Sequence, residues 1–182
     1  MESESSVLSW YALRVRSRCE KSAAADLVRR CFPVCAAVAL QRRVWSDRVR
    51  LLDLPLFPGY IFARFEPSQR HAVLLGAGVA GIVGCGRTDF PVSDDEIAAI
   101  LTLISTGETV ASAPFLAAGT PVVVRAGPLK GLTGILQYAK TRSRLILSVN
   151  ALQRSISVEV DTAMVEPLPV PYTALSLRRG VA

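Results

Sequence analysis

The hydrophobic period of this 182-residue chain changes once, and that change limits what it can fold into. Up to about residue 106, helix-period stripes alternate with strand-period segments; after Gly119 only short strand-period segments remain. The chain is therefore expected to be α+β, in two units of different class. Residues 7–105 should form an antiparallel sheet with flanking helices. Residues 118–168 should form a small five-stranded β-barrel, since "RLILSV" and "SISVEVD" are short and Ile156, Val158 and Val160 oppose Ser157, Glu159 and Asp161. Between them "TGETVASAPFLA", 106–117, has no sustained period and is expected to be a flexible linker, with 169–182 a loose tail.

Within the first unit "WYALRVR" (Trp10–Arg16) alternates as a strand. Ser17 and Glu20 have capping-box spacing, so a helix is expected to begin there, with the stripe Ala24, Leu27, Val28 and Cys31 and a stop at Pro33. Strands are expected near residues 37–45 and 60–65, a short helix after Pro67, and a short strand from Gly81 to Cys85. Ser93 and Glu96 form a second capping box, ahead of the stripe Ile97, Ile100, Leu101 and Ile104 and a stop at Gly107.

"PLFPGYIFARFE", Pro55–Glu66, poses a specific problem. Alternation puts Tyr60, Phe62 and Arg64 on one face and Ile61, Ala63 and Phe65 on the other, so both faces carry large apolar groups. Either a helix covers the second face as core, or that face docks on a protein partner. Pro58–Gly59 presets a sharp turn into the strand. Just upstream, Arg42, Arg43, Arg48 and Arg50 surround Trp45 with one acid, Asp47, among them. Such a hairpin suits single-stranded DNA through phosphate contact and stacking, with Arg14, Arg16 and Arg18 nearby; a solvated charged loop is the plainer reading.

Chemistry that would make an enzyme is missing from the pattern. The cysteines Cys19, Cys31, Cys35 and Cys85 are scattered, and the single histidine, His71, is far from them in sequence, whereas a metal site needs about four ligands. No phosphate-cradling glycine loop or catalytic triad appears. The expectation is a non-enzymatic protein without cofactor or metal. Its longest apolar run is too short for a bilayer, and "MESESSVLSW" is acidic and polar, so a cytoplasmic chain with no membrane contact is expected. A net charge of +6 favours acidic partners.

"WYALRVRSRCEK", "PLFPGYIFARFE", "GVAGIVG" and "PVSDDEIAAI" resemble the N-terminal domain of the NusG family of transcription elongation factors. "GTPVVVRAGPLKGLTGIL" with "SRLILSVNALQRSISVEVD" resembles its C-terminal KOW domain. "VWSDR" ahead of "PLFPGY" is more similar to the specialised paralogues of the RfaH, polysaccharide-operon type. The resemblance implies a monomeric factor that binds the β′ clamp helices of RNA polymerase and promotes processive elongation or antitermination. By motif position Phe57, Tyr60 and Phe62 would line the polymerase-binding surface, and Arg16, Arg42, Arg43, Trp45 and Arg48 would face nucleic acid, including non-template DNA. His71 falls near the element that faces the β gate loop, but Ala72 and Val73 replace its threonines. Leu152 and Arg154 would meet Rho or a ribosomal protein, although Gln153 stands where the family has glycine. RfaH is known for a C-terminal domain that can be helical, but the strict alternation and β-branched content of Ile156–Val160 favour strands, so a β-barrel with no helical state is expected. A different class remains open: an RNA-binding or ribosome-associated KOW protein with no polymerase role.

Overall fold

Seven residues of strand period, Ser9–Val15 (β1), form the centre of the first sheet. In the computed structural model, which describes residues 7–44, 49–86, 88–113, 120–137 and 143–168, the chain continues through α1 (Glu20–Arg29), β2 (Val34–Cys35), β3 (Val38–Val44), β4 (Val49–Pro55) and β5 (Tyr60–Phe65). Then come α2 (Arg70–Leu74), β6 (Val79–Ile82), β7 (Gly84–Cys85), β8 (Thr88–Asp89), β9 (Pro91–Val92) and α3 (Asp94–Thr106). The sheet order is β2-β5-β1-β6, with β9 also paired to β1, while β3 and β4 form a separate two-stranded hairpin.

Both faces of this sheet are buried, which resolves the two-faced strand. Tyr11, Leu13, Val15, Ile61, Ala63 and Phe65 pack with Ala23 and Leu27 of α1 and Val73 of α2. Their alternates Ala12 and Phe62 pack with Leu56, Phe57 and the α3 residues Ile97, Ile100 and Leu103. The result is helices, sheet, helix: three layers, because an apolar face on each side of a sheet needs its own cover.

The helix borders follow local chemistry, in part differently from expectation. Ser93 and Glu96 make the expected capping box, and Gly107 ends α3 at φ 68°. The Ser17–Glu20 box does not form: Arg18 takes φ 63°, the cap position passes to Cys19, and the Glu20 carboxylate is used elsewhere. Pro33 does not stop α1 either. Cys31 at φ 66° donates to Val28 O and Phe32 to Leu27 O, closing the helix two residues earlier with a left-handed residue that is usually glycine. The buried stripe of α1 is Ala23, Asp26 and Leu27, and Val28 and Cys31 are exposed. In α3, Leu103 is buried and Leu101 exposed, so the core stripe is shifted there too.

The second half contains β11 (Thr120–Val124), β12 (Thr133–Gln137), β13 (Ser143–Val149), β14 (Arg154–Val160) and β15 (Val165–Pro167), as the β-barrel reading requires. A further strand, β10 (Val110–Ala113), comes from the segment expected to be linker and pairs with β14, giving the order β10-β14-β13-β12-β11-β15. Its backbone satisfies the outer edge of β14, and Ser157 Oγ donates to Ala111 O. Ser155 and Ser157 are buried despite lying on the polar side of the alternation; Ser155 and Ser148 hydroxyls lie 2.7 Å apart. In "AGPLKGLTG", Gly127 and Gly131 adopt φ 80° and 88°, and Leu129 and Leu132 turn into the core. At Gly134 a Cβ would stand 2.6 Å from Ile146 O, so close strand approach requires glycine there. One apolar cluster joins the Phe57–Phe62 face to barrel residues such as Val122, Leu145 and Ile156.

Candidate partner-binding surface

The turn before β5 is held from several directions. Gly59, at φ 84°, donates its N–H to Glu20 Oε1 at 2.9 Å, and its carbonyl accepts from Val15 N at 2.9 Å. Tyr60 N donates to Phe57 O, and Leu56 N to Ala37 O. Glu20 is 7% exposed, so its carboxylate is spent on this turn instead of on its own helix end. That contact, spanning residues far apart in sequence, had no local signal; the i, i+3 spacing from Ser17 suggested the wrong partner.

Phe57 and Phe62 meet edge to face, with centroids 5.7 Å apart at 89°. At 1% and 0% exposure they are core side chains in this arrangement, under α3 and against the second half. Tyr60 is only partly buried at the edge of the same cluster. Of the three residues of this set, it is the one that reaches the surface.

The fold brings the two predicted protein-binding sets together. The Arg154 guanidinium lies 5.0 Å from the centroid of the Tyr60 ring, and its Nη1 donates to Pro58 O at a long 3.5 Å. Leu152 packs, partly buried, on the shared cluster. Asn150 donates both its backbone N–H (3.0 Å) and its Nδ2 (2.9 Å) to Glu96 Oε1, while Glu96 Oε2 accepts from Ser93 N. Glu96 thus caps α3 and fastens the 150–154 loop to it. Gln153 keeps the left-handed backbone, φ 50°, that glycine would adopt freely, and its Nε2 donates to Asn150 O.

The predicted nucleic-acid residues are only partly placed. Arg16 is exposed just beyond β1. Arg42 and Arg43 lie on β3, paired in register with Leu51 and Arg50. Trp45 and Arg48 lie outside the described residues. His71 sits in α2.

Other titratable groups serve the fold. Asp26 accepts from Ala77 N at 2.9 Å and from Arg29 and Arg30 at 2.9 Å each, tying α1 to the loop before β6. The Ala77 N–H holds its carboxyl below the usual range, helped by the two guanidiniums against the opposing effect of burial. Burial pushes the Cys35 thiol up, and the Tyr11 phenol is raised by burial and by nearby Asp89. Among the described residues, His, Cys, Asp and Glu nowhere gather in threes at metal-binding range, and no helix is long and apolar enough to cross a membrane.

Comparison with known proteins agrees with this architecture. Two proteins named transcription termination/antitermination protein NusG are similar. That of Deinococcus radiodurans is 28% identical over 127 residues, 60% of this chain and 67% of the relative. That of Buchnera aphidicola is 29% identical over 123 residues, 64% of this chain and 67% of the relative. A solved structure of Thermotoga maritima NusG, described by its domain interaction, shares the fold with a TM-score of 0.51 at 21% identity, covering 89% of this chain and 98% of that one. The family described as transcription termination factor nusG matches residues 8–101. The three-layer first half, the β-rich second half and that match together place this chain in the NusG family of transcription termination and antitermination factors.

Proposed function

We propose that this chain is a non-enzymatic elongation factor that docks on the clamp helices of the RNA polymerase β′ subunit and favours processive, antiterminated transcription. Residues 7–105 are its polymerase-binding unit and 118–168 its KOW unit, which recruits a second partner, Rho or a ribosomal protein, through Leu152 and Arg154. The observation that carries the docking reading is the braced turn at Gly59, which fixes Tyr60 at the rim of an apolar face. Phe57 and Phe62 support that rim from below. Arg154 stands over the same ring, so docking requires the KOW unit to move off. Of the contacts that hold it, the cation–π pair at a half-exposed site contributes about 0.5–1 kcal/mol, and the Asn150–Glu96 hydrogen bonds and the shared apolar cluster add to that. The basic hairpin and Arg16 then track single-stranded non-template DNA by phosphate contact. "VWSDR" supports assignment to the specialised, operon-directed branch of the family.

The test is binding to purified core polymerase by wild type and by Tyr60→Ala. Phe62→Ala is unsuitable as a probe, because emptying a fully buried aromatic site costs about 3–5 kcal/mol and disturbs the fold itself. Loss of binding by a folded Tyr60→Ala variant is expected. Undiminished binding would move the interface elsewhere.

A further inference from the structure

The strand β10 belongs to both halves of the molecule. Its four residues, Val110–Ala113, pair antiparallel with Val158–Ser155 of β14, and among the described residues β10 pairs with no other strand. On its other side β3 of the first half lies alongside, without ladder pairing. Val110 is 2% exposed and sits in the apolar cluster that the two halves share. Only Gly107, Glu108 and Thr109 separate β10 from the end of α3, and Gly107 is itself fixed as the helix cap.

The place of this pairing limits how the barrel can move. Ser155, at one end of the β10 ladder, directly follows Arg154, the residue that stands over Tyr60. A partner helix laid on Tyr60 is about 10–12 Å across with its side chains, so Arg154 has to withdraw by at least that much. The three residues from α3 to β10, at about 3.5 Å each, reach only about 10 Å, and the helix end holds one of them. A pivot about them would drag β10 from beside β3 and Val110 out of the shared cluster. With β10 unpaired, the connection from α3 to β11 becomes residues 107–119, which reach about 45 Å. The ladder is also built to part: Ala111, Ser112 and Ala113 are poor strand formers, and Val110 alone brings a large apolar side chain.

We propose that β10 is a clasp: paired with β14 it keeps the barrel over Tyr60, and it peels from β14 when the barrel leaves. The inference deepens the docking reading above and rests on it for the purpose of release, while the clasp itself acts in the free protein. Peeling turns a short joint into a long tether, so one four-residue ladder sets both the cover of Tyr60 and the reach of the KOW unit.

The experiment uses the full chain carrying both Ala111→Pro and Ser112→Pro. Neighbouring strand residues point their N–H groups to opposite sides, so one of the two prolines removes a ladder donor. NMR of the free protein should show the Tyr60 ring resonances moved toward those of an exposed tyrosine, and barrel relaxation rates of a unit that tumbles by itself. Affinity for core polymerase should rise about tenfold, as when the competent fraction grows from about a tenth to nearly all molecules. A Tyr60 ring and barrel relaxation unchanged from wild type would overturn the clasp. Release without binding to polymerase would leave the clasp in place and overturn the docking reading. If the double variant unfolds the barrel, Ala111→Val decides, since it strengthens the strand at an exposed position. It should slow amide exchange in β10 and, by the same factor, at Asn150, whose N–H is bound to Glu96 only while the barrel is seated. Slower exchange in β10 with none at Asn150 would overturn the clasp.

Discussion

The contact between Glu20 and Gly59 makes the sharpest single prediction. Glu20→Ala removes the acceptor of a part-buried N–H at a turn that glycine holds at φ 84°. A hydrogen bond to a charged group contributes about 1.5–3 kcal/mol net, so a loss of about 2 kcal/mol is expected. For a chain of this length that is about 4–8 °C in Tm. Glu20→Gln retains an oxygen at the same reach and should lose about half as much, about 1 kcal/mol. Urea unfolding of the three proteins measures all of this, with equal m-values as the check that the unfolded states match. Because Tyr60 follows the turn directly, polymerase affinity should fall in the same order, Ala below Gln below wild type. A Glu20→Ala protein within about 0.5 kcal/mol of wild type would refute the reasoning, since this is the scatter of ordinary surface changes.

Asp26 carries a pH signature: its carboxyl is held down in the folded chain, so the stability it supplies is full above the ordinary carboxylate range and disappears as pH falls through its lowered folded value. Unfolding midpoints measured from neutral to acid pH should therefore drop less steeply for Asp26→Asn than for wild type. Gly134→Ala should destabilise the barrel by about 1–3 kcal/mol, because its Cβ must displace Ile146 O; a calorimetric scan would register it as a lower Tm. Asn150→Ala combined with Arg154→Ala should leave the barrel intact and free the Tyr60 ring, seen as a shift of its ring resonances toward those of an exposed tyrosine. Cys35 should react with a thiol reagent more slowly than Cys31 or Cys85, since burial both covers it and raises its pKa.

Local rules reached far in this chain. Alternation placed β1, β5 and the barrel strands, and the Ser93–Glu96 spacing placed the start of α3, because each depends on residues within one turn or one strand of each other. The α1 border failed where a local rule met a distant competitor: Gly59 captured Glu20, and Cys31 took a left-handed conformation that sequence assigns to glycine. The strand β10 was not legible because "VASA" has weak strand character of its own. It exists through the free edge of β14, and an edge can order a segment that propensity would not.

The predicted site divides along the same line. The turn into β5 was visible in the sequence, since Pro58–Gly59 presets it, whereas the proposed role of Tyr60 came only from the family resemblance. The burial of Phe57 and Phe62 was not visible, because the period of a strand tells which residues share a face and never what covers it. Their cover comes from α3 and from residues over 60 positions further on, brought in by a barrel whose loop is fastened through Asn150 to Glu96. In the proposed docking that loop lifts and uncovers a patch that is apolar around a single phenol, and an apolar patch left to water is costly. The partner that replaces the barrel must therefore offer apolar side chains. That requirement distinguishes the docking surface proposed at Tyr60 from the exposed arginines Arg14, Arg16 and Arg18 on and just beyond β1, whose charge favours an acidic partner instead.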